Sequence, residues 1–515
     1  MRGFYLLLAF VAITSCNAEG VKYSEERDVQ SELFFPVNPI IKFAHSNPVF
    51  QLKISVEAGR KELNVSEIKA EIISGTEDLE KLELYYTSNE KEYLKDSLMA
   101  VMYPGQKQLS IPVSIQLPPG VHYFWMHAIL KEDANIEDKI VFRVKSFLAD
   151  EKEYFPINDD KEQVQYTGIA IRKAWDDSVH TYRIPGMIVT HKGTLIAIYD
   201  IRYHHSGDLP ANIDVGMNRS TDGGKTWEPM KIIMDMGAPH ENNGVGDPAI
   251  LFDPVSETIW VAALWSKGNN SIRDSRPGLS PDSTGQLVLI SSTDDGITWS
   301  EPVSITPQVK NPQWHLYFNG PGAGIVMQNG HLVFASQYWD ENKIPYAAII
   351  YSEDHGQTWK SGVGAKSNTT EAQIVETRPG TLMLNMRDNR GKYRSVATTT
   401  DMGKTWVEHH TSGSVLEDPV CMAGFIKAEV NHGNARKEVL FLSNVNHSYA
   451  RVNTTIRASL DWGETWPEAY SLLIDERSGF GYSSIARINE DTIGLLYEGI
   501  RDLYFVRIPV KDILK

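Results

Sequence analysis

The chain has 515 residues, 42% of them hydrophobic, and a formal net charge of −16. That length leaves room for two or three domains, each with an ample core. The acidic balance argues against nucleic acid as a partner, but it does not oppose a small anionic ligand held by local arginines.

The first 21 residues read as a targeting segment. Met1-Arg2 carries one positive charge, Phe4–Ile13 is apolar, and Thr14-Ser15-Cys16 follows. The apolar stretch is short for a membrane span. Ile13-Thr14-Ser15-Cys16 resembles a bacterial lipobox, in which the cysteine becomes lipidated; an ordinary cleaved signal is the alternative. A lipid on Cys16 would anchor the protein without making it span. Export is implied, to the periplasm or outer membrane. One other cysteine exists, Cys421, so an internal disulfide is not expected.

Residues 22–150 alternate in strand fashion over Val49–Val56, Val65–Ile73, Lys81–Tyr86, Leu109–Leu117, His122–Ile129 and Lys139–Phe147. They predict an antiparallel β-sandwich. Residues 151–165 are charged and polar and read as a linker, leaving 166–515 as the second domain.

Within that second domain the motif [ST]-x-D-x-G-x-T-W occurs five times, at Ser220–Trp227, Ser292–Trp299, Ser352–Trp359, Thr399–Trp406 and Ser459–Trp466. Its aspartates are 72, 60, 47 and 60 residues apart. A four-stranded propeller blade needs about 40–50 residues, with loops filling the remainder. Six blades fit the span, one of them closed by strands from both ends of the domain. The whole chain is therefore expected to be all-β: a six-bladed β-propeller preceded by an N-terminal β-sandwich. The motif itself reads as structural. Its Asp accepts hydrogen bonds across a tight hairpin, its Gly takes a shape other residues take at a cost, and its Trp packs into the blade. It has one carboxylate and lacks the acidic spacing of a calcium loop.

Tyr182-Arg183-Ile184-Pro185 precedes the first repeat, and with the five repeats it makes the chain resemble the bacterial exo-α-sialidases from about Thr167 onward. These are retaining glycoside hydrolases on a six-bladed propeller. The resemblance implies a sialylated-glycan substrate, a monomer, and no cofactor or metal. It also implies a substrate-carboxylate clamp of Arg183, Arg387 (LNMRDN) and Arg451 (NHSYARVNTT), with Arg202 near the pocket mouth. Guanidinium matches carboxylate geometry, and three convergent ones call for an anion. Arg457 competes for the third place and reads as structural. Glu498 (LLYEG) matches the carboxylate that orients the first arginine. Asp208 (YHHSGDLP) matches the acid/base; Asp214 is the competing acid and reads as structural, and His204 and His205 read as loop residues. Tyr482 (GFGYSS) matches the nucleophile and Glu371 (TTEAQIVE) its base. A phenol with a pKa of about 10 needs an adjacent base to attack, and sialidases are the tyrosine exception among two-carboxylate glycosidases. A non-catalytic sialoglycan-binding propeller and a trans-sialidase are the alternatives; a mere binder would not need the proton-transfer groups.

Overall fold

The computed structural model describes residues 28–44, 46–88, 97–268 and 270–515. The targeting segment and Cys16 lie outside them. No helix among the described residues is long and apolar enough to cross a membrane.

The N-terminal region is built of two facing sheets. One has the strand order Val29–Phe34, Pro48–Val56, Gly120–Leu130, Leu79–Thr87, Leu98–Met102. In the other, Leu63–Ser74 lies between Gln108–Leu117 and Lys139–Ala149. Alternation along these strands turns Leu52, Ile54, Ile68, Phe124, Phe142 and Phe147 into a shared core, as expected where one face of each sheet is solvated. All six expected strands are present. The sequence pattern missed the short edge strands Val29–Phe34 and Leu98–Met102, whose partial burial leaves no strong alternation.

Six antiparallel sheets follow, each a blade. The first runs Thr181–Val189, Leu195–Arg202, Ile213–Ser220, Lys231–Met234, and the next four repeat the pattern. The sixth combines Ser483–Asn489, Thr492–Glu498 and Leu503–Pro509 with Gln163–Arg172, where Gly168 pairs with Val506. Both ends of the propeller thus meet in one blade, as the repeat spacing implied. Gln163–Arg172 also pairs with Lys139–Ala149, so the last blade continues into the N-terminal sheet. Lys152–Tyr154, inside the polar stretch read as a linker, pairs back onto Phe147–Ala149.

Each repeat forms the turn between the third and fourth strands of its blade. In the first, the Asp222 carboxylate accepts from Ser220 Oγ (2.8 Å), Thr226 Oγ1 (2.6 Å) and Thr226 N (3.0 Å). Asp294, Asp354, Asp401 and Asp461 repeat this set. The hydrogen bonds favour the ionised acid and hold Asp294 down to about 2. The motif glycines have φ between 73° and 90°, the left-handed region where a side chain is strained.

This topology fixes where chemistry can collect. The repeat turns occupy one end of the ring. The starts of the innermost strands, the ends of the second strands and the loops between second and third strands occupy the other. Every expected site residue falls in one of those three places.

Candidate active site

At that second end a cavity of about 360 Å³ is lined by Arg183, Asp208, Asp247, Glu371, Arg387, Arg451 and Tyr482, with Phe318 and Trp339 on its apolar side. Side chains up to 299 positions apart therefore share one wall. A larger hollow of about 820 Å³ opens at the opposite end of the ring, but among the described residues Arg487 is its single guanidinium and no phenol lines it.

Three wall residues reach the cavity by the same device. The innermost strands of the first, second and fourth blades are each bulged near their start, at Arg183/Gly186, Gly246/Ala249 and Thr369/Ala372. A bulge bends a strand and re-aims a side chain. Ile184 and Asp247 take φ of 59° and 55° in these bulges, which is costly for a β-branched residue such as Ile184. The Ile184 N–H donates to Glu498 Oε1 at 2.8 Å, which compensates part of that cost.

Glu498, with a fully buried side chain, ties two walls together. Its Oε1 also accepts from Arg183 Nε at 3.0 Å, while Oε2 accepts from Arg183 Nη2 at 3.4 Å and from the Tyr482 N–H at 2.9 Å. Gly481 precedes Tyr482 at φ 90°, and a Cβ there would lie 3.1–3.3 Å from Val445, Cys421 and Arg451. The glycine thus lets the tyrosine enter the cavity.

The Tyr482 hydroxyl lies 2.6 and 2.7 Å from the two oxygens of Glu371 and accepts from Arg387 Nη1 at 2.8 Å. Arg387 Nη1 also donates to Glu371 Oε2 at 2.7 Å. Burial, followed by the charge of Glu371, pushes the phenol well above its ordinary pKa, so it holds its proton at rest. The guanidinium carbons of Arg183 and Arg451 lie 5.0 and 5.6 Å from the centre of the Tyr482 ring. Arg451 donates only to the carbonyls of Phe480 (2.7 Å) and Val420 (3.2 Å), and no carboxylate among the described residues pairs with it. Its positive charge faces the cavity uncompensated.

Asp208 stands at the mouth with its side chain 70% exposed. Desolvation raises its pKa, but Arg202, Arg183 and Arg387 outweigh that and hold the carboxyl below its ordinary value. Arg202 Nη1 donates to Asp208 Oδ1 at 2.7 Å, and Arg183 Nη1 is 3.7 Å from the same oxygen. Arg202 itself is 1% exposed and stands behind Asp208, held also by Asp200 Oδ2 at 2.8 and 3.1 Å.

The residues set aside as structural are elsewhere. Arg457 binds Asn446 Oδ1 and the Val415 carbonyl, outside the cavity. Asp214 accepts from the Tyr203 hydroxyl at 2.9 Å. His204 is exposed beside Glu241. Two acids were missed from sequence. Asp247 lines the cavity; burial, then Asp200, Asp208 and Glu371, push its carboxyl well above the ordinary value. Asp200 accepts the Asp247 N–H at 2.9 Å as well as the Arg202 guanidinium. A signal for Asp200 existed: it and Arg202 are charged residues two apart inside the otherwise uncharged strand Leu195–Arg202.

Residues 193–496 match the BNR repeat-like domain model, and residues 29–153 match the N-terminal domain of BNR-repeat neuraminidase. A sialidase of Bacteroides fragilis is 44% identical over 424 residues, covering 81% of this chain and 78% of that protein. The chain belongs to the bacterial-type exo-sialidases. As a sialidase, it is a glycoside hydrolase that releases terminal sialic acids. A sialidase of Micromonospora viridifaciens is 34% identical over 338 residues, covering 62% of this sialidase and 50% of the relative. The solved structure of the Hadza microbial sialidase Hz136 superposes with a TM-score of 0.87 at 38% identity, covering 94% of this sialidase and all of that chain.

Proposed function

We propose that this enzyme cleaves terminal α-linked sialic acids from glycans with retention, through a covalent intermediate on Tyr482. The observation that carries the reading is the Tyr482 hydroxyl between both Glu371 oxygens and Arg387, in a cavity where no carboxylate among the described residues pairs with Arg451. An uncompensated guanidinium next to two paired ones favours an anion, and a carboxylate fits its fork.

Arg183, Arg387 and Arg451 then bind the C1 carboxylate of the sugar. A carboxylate nucleophile would be repelled by that group; a neutral phenol is not. As Tyr482 attacks C2, its proton passes to Glu371, and Arg387 stabilises the developing phenolate. Asp208 protonates the departing glycosidic oxygen. The sugar's bound carboxylate offsets the arginine charges that hold Asp208 ionised, so binding itself raises the acid toward its task. Asp208 then deprotonates the water that frees the sugar from Tyr482. Glu498 fixes Arg183 and the Tyr482 backbone, and Arg202 fixes Asp208. Proton NMR on sialyllactose tests this: the α-anomer should form first, and Tyr482→Phe should fold normally while losing about 10³-fold or more in kcat. A β-anomer as first product, or near-normal turnover in the variant, would reject it.

The same reading takes residues 22–150 and 166–515 as separate domains of a monomer. It also places the enzyme outside the cytoplasm, anchored by lipid on Cys16. Labelled palmitate should enter the wild-type chain in cells and not a Cys16→Ser chain; equal labelling would remove the anchor.

A further inference from the structure

We propose that His409, His410 and Glu464 form a binding site for a divalent transition-metal cation of the Zn²⁺ class, on the propeller wall between the fourth and fifth blades. One ligand atom from each lies within 4.8 Å of the other two. His409 and His410 directly follow the outer strand Val407–Glu408 of the fourth blade. Glu464 belongs to the repeat turn Ser459–Trp466 of the fifth. None of the three lines the sugar cavity.

The separations suit a small cation. Around Zn²⁺, with bonds of about 2.1 Å, tetrahedral ligand atoms lie about 3.4 Å from one another. His409 Nε2 is 3.8 Å from Glu464 Oε1, and His410 Nδ1 is 3.6 Å from Glu464 Oε2. The two contacts run to different oxygens, so the carboxylate would hold the ion through both of them, with each histidine closing by a few tenths of an ångström.

One of the two remaining ring nitrogens is already engaged in the way a metal-bound histidine requires. His410 Nε2 lies 3.1 Å from the Glu464 carbonyl oxygen, which can only accept. That contact puts the proton on Nε2 and leaves the Nδ1 lone pair facing the carboxylate. His409 Nδ1 is 2.8 Å from Thr411 Oγ1 and accepts the Thr411 N–H at 3.4 Å, so the neutral ring carries its proton on Nε2, and ligation through Nε2 requires that proton to leave or to move to Nδ1. Such outer hydrogen bonds fix the tautomer and orientation of a ligating histidine. Two imidazoles and one carboxylate suit Zn²⁺, Ni²⁺ or Cu²⁺ and disfavour Mg²⁺ and Ca²⁺. Water would complete the coordination. With ligands from two blades, the bound ion would clip them together and stabilise the ring without touching the sugar chemistry.

The test is calorimetric titration of the untagged full chain with ZnCl₂, alongside thermal unfolding with and without the ion. Wild type should bind one more equivalent than the His409→Ala/His410→Ala variant, and its Tm should rise with Zn²⁺. His410→Ala and Glu464→Gln should each weaken that equivalent at least tenfold and lose the Tm rise. Sialoside turnover should be equal in all of them, which also shows that the variants are folded. Equal stoichiometry and affinity in wild type and the double variant would overturn the proposal. So would binding of MgCl₂ as tight as that of ZnCl₂.

Discussion

Replacing Glu498 by Gln keeps the side chain's shape and removes its charge. In the native site two oxygens serve four contacts: Arg183 Nε, Arg183 Nη2, the Ile184 N–H and the Tyr482 N–H. An amide offers one oxygen. Whichever way it turns, its own N–H₂ faces a backbone donor and one arm of Arg183. An unpaired buried donor costs about 1–3 kcal/mol, and breaking one side of a buried ion pair costs about 3–5 kcal/mol. These penalties overlap, because Arg183 is counted in both, so the expected loss is about 3–5 kcal/mol. The residual attraction of Arg183 to Asp208, at 3.7 Å and on an exposed partner, recovers little of it. The assay is urea unfolding followed by tryptophan fluorescence, comparing midpoints at equal slope. A second readout is kcat/KM on a sialoside, expected to fall about 100-fold as Arg183 and the Tyr482 backbone lose registry. A stability loss under about 1 kcal/mol together with unchanged kcat/KM would refute the role of Glu498 as the hub joining the two walls.

Two further outcomes test the acids. Asp208→Asn should cost about 10²–10⁴-fold in kcat on sialyllactose, whose leaving group needs a proton, and far less on an aryl sialoside with a good leaving group; equal losses on both substrates would take the proton-donor role from Asp208. Asp214 is pushed up to about 6 from 3.8, mainly by burial. The folded state therefore holds its proton to higher pH than the unfolded chain does, so the stabilisation is full below about pH 4 and is lost as pH rises to about 6. Asp214→Asn mimics the protonated form. Relative to wild type it should gain up to about 3 kcal/mol between pH 4 and pH 7 in unfolding experiments, and a pH-independent difference would disprove this.

The fold was legible because both of its signals are local. The repeat places its Ser, Asp, Gly and Thr within one turn, so a single chain segment reveals the geometry. Ring closure was also legible, since strands before Ser220 and after Trp466 needed partners. The site was legible only where a residue sits in a recognisable stretch. Arg183 comes with a strained Ile184 and a proline, and Tyr482 with two preceding glycines, because each needs special backbone to reach the cavity. Asp247 has no such mark. Its left-handed φ is carried by an ordinary acid, and its raised pKa comes from burial and from Asp200, Asp208 and Glu371, which are brought near it only by folding.

The pairing of Gly168 with Val506 has a consequence for the order in which the protein is made. Arg183 emerges from the ribosome early, but its anchor Glu498 and the phenol at Tyr482 emerge roughly 300 residues later. At about 5–20 residues per second of synthesis, that is some 15–60 seconds during which the first arginine lacks its buried partner Glu498 and the ring stays open. A nascent chain stalled before residue 482 therefore lacks both the Tyr482 hydroxyl and the Glu498 carboxylate that holds Arg183. The sugar-cleaving centre comes into being only when the circle shuts.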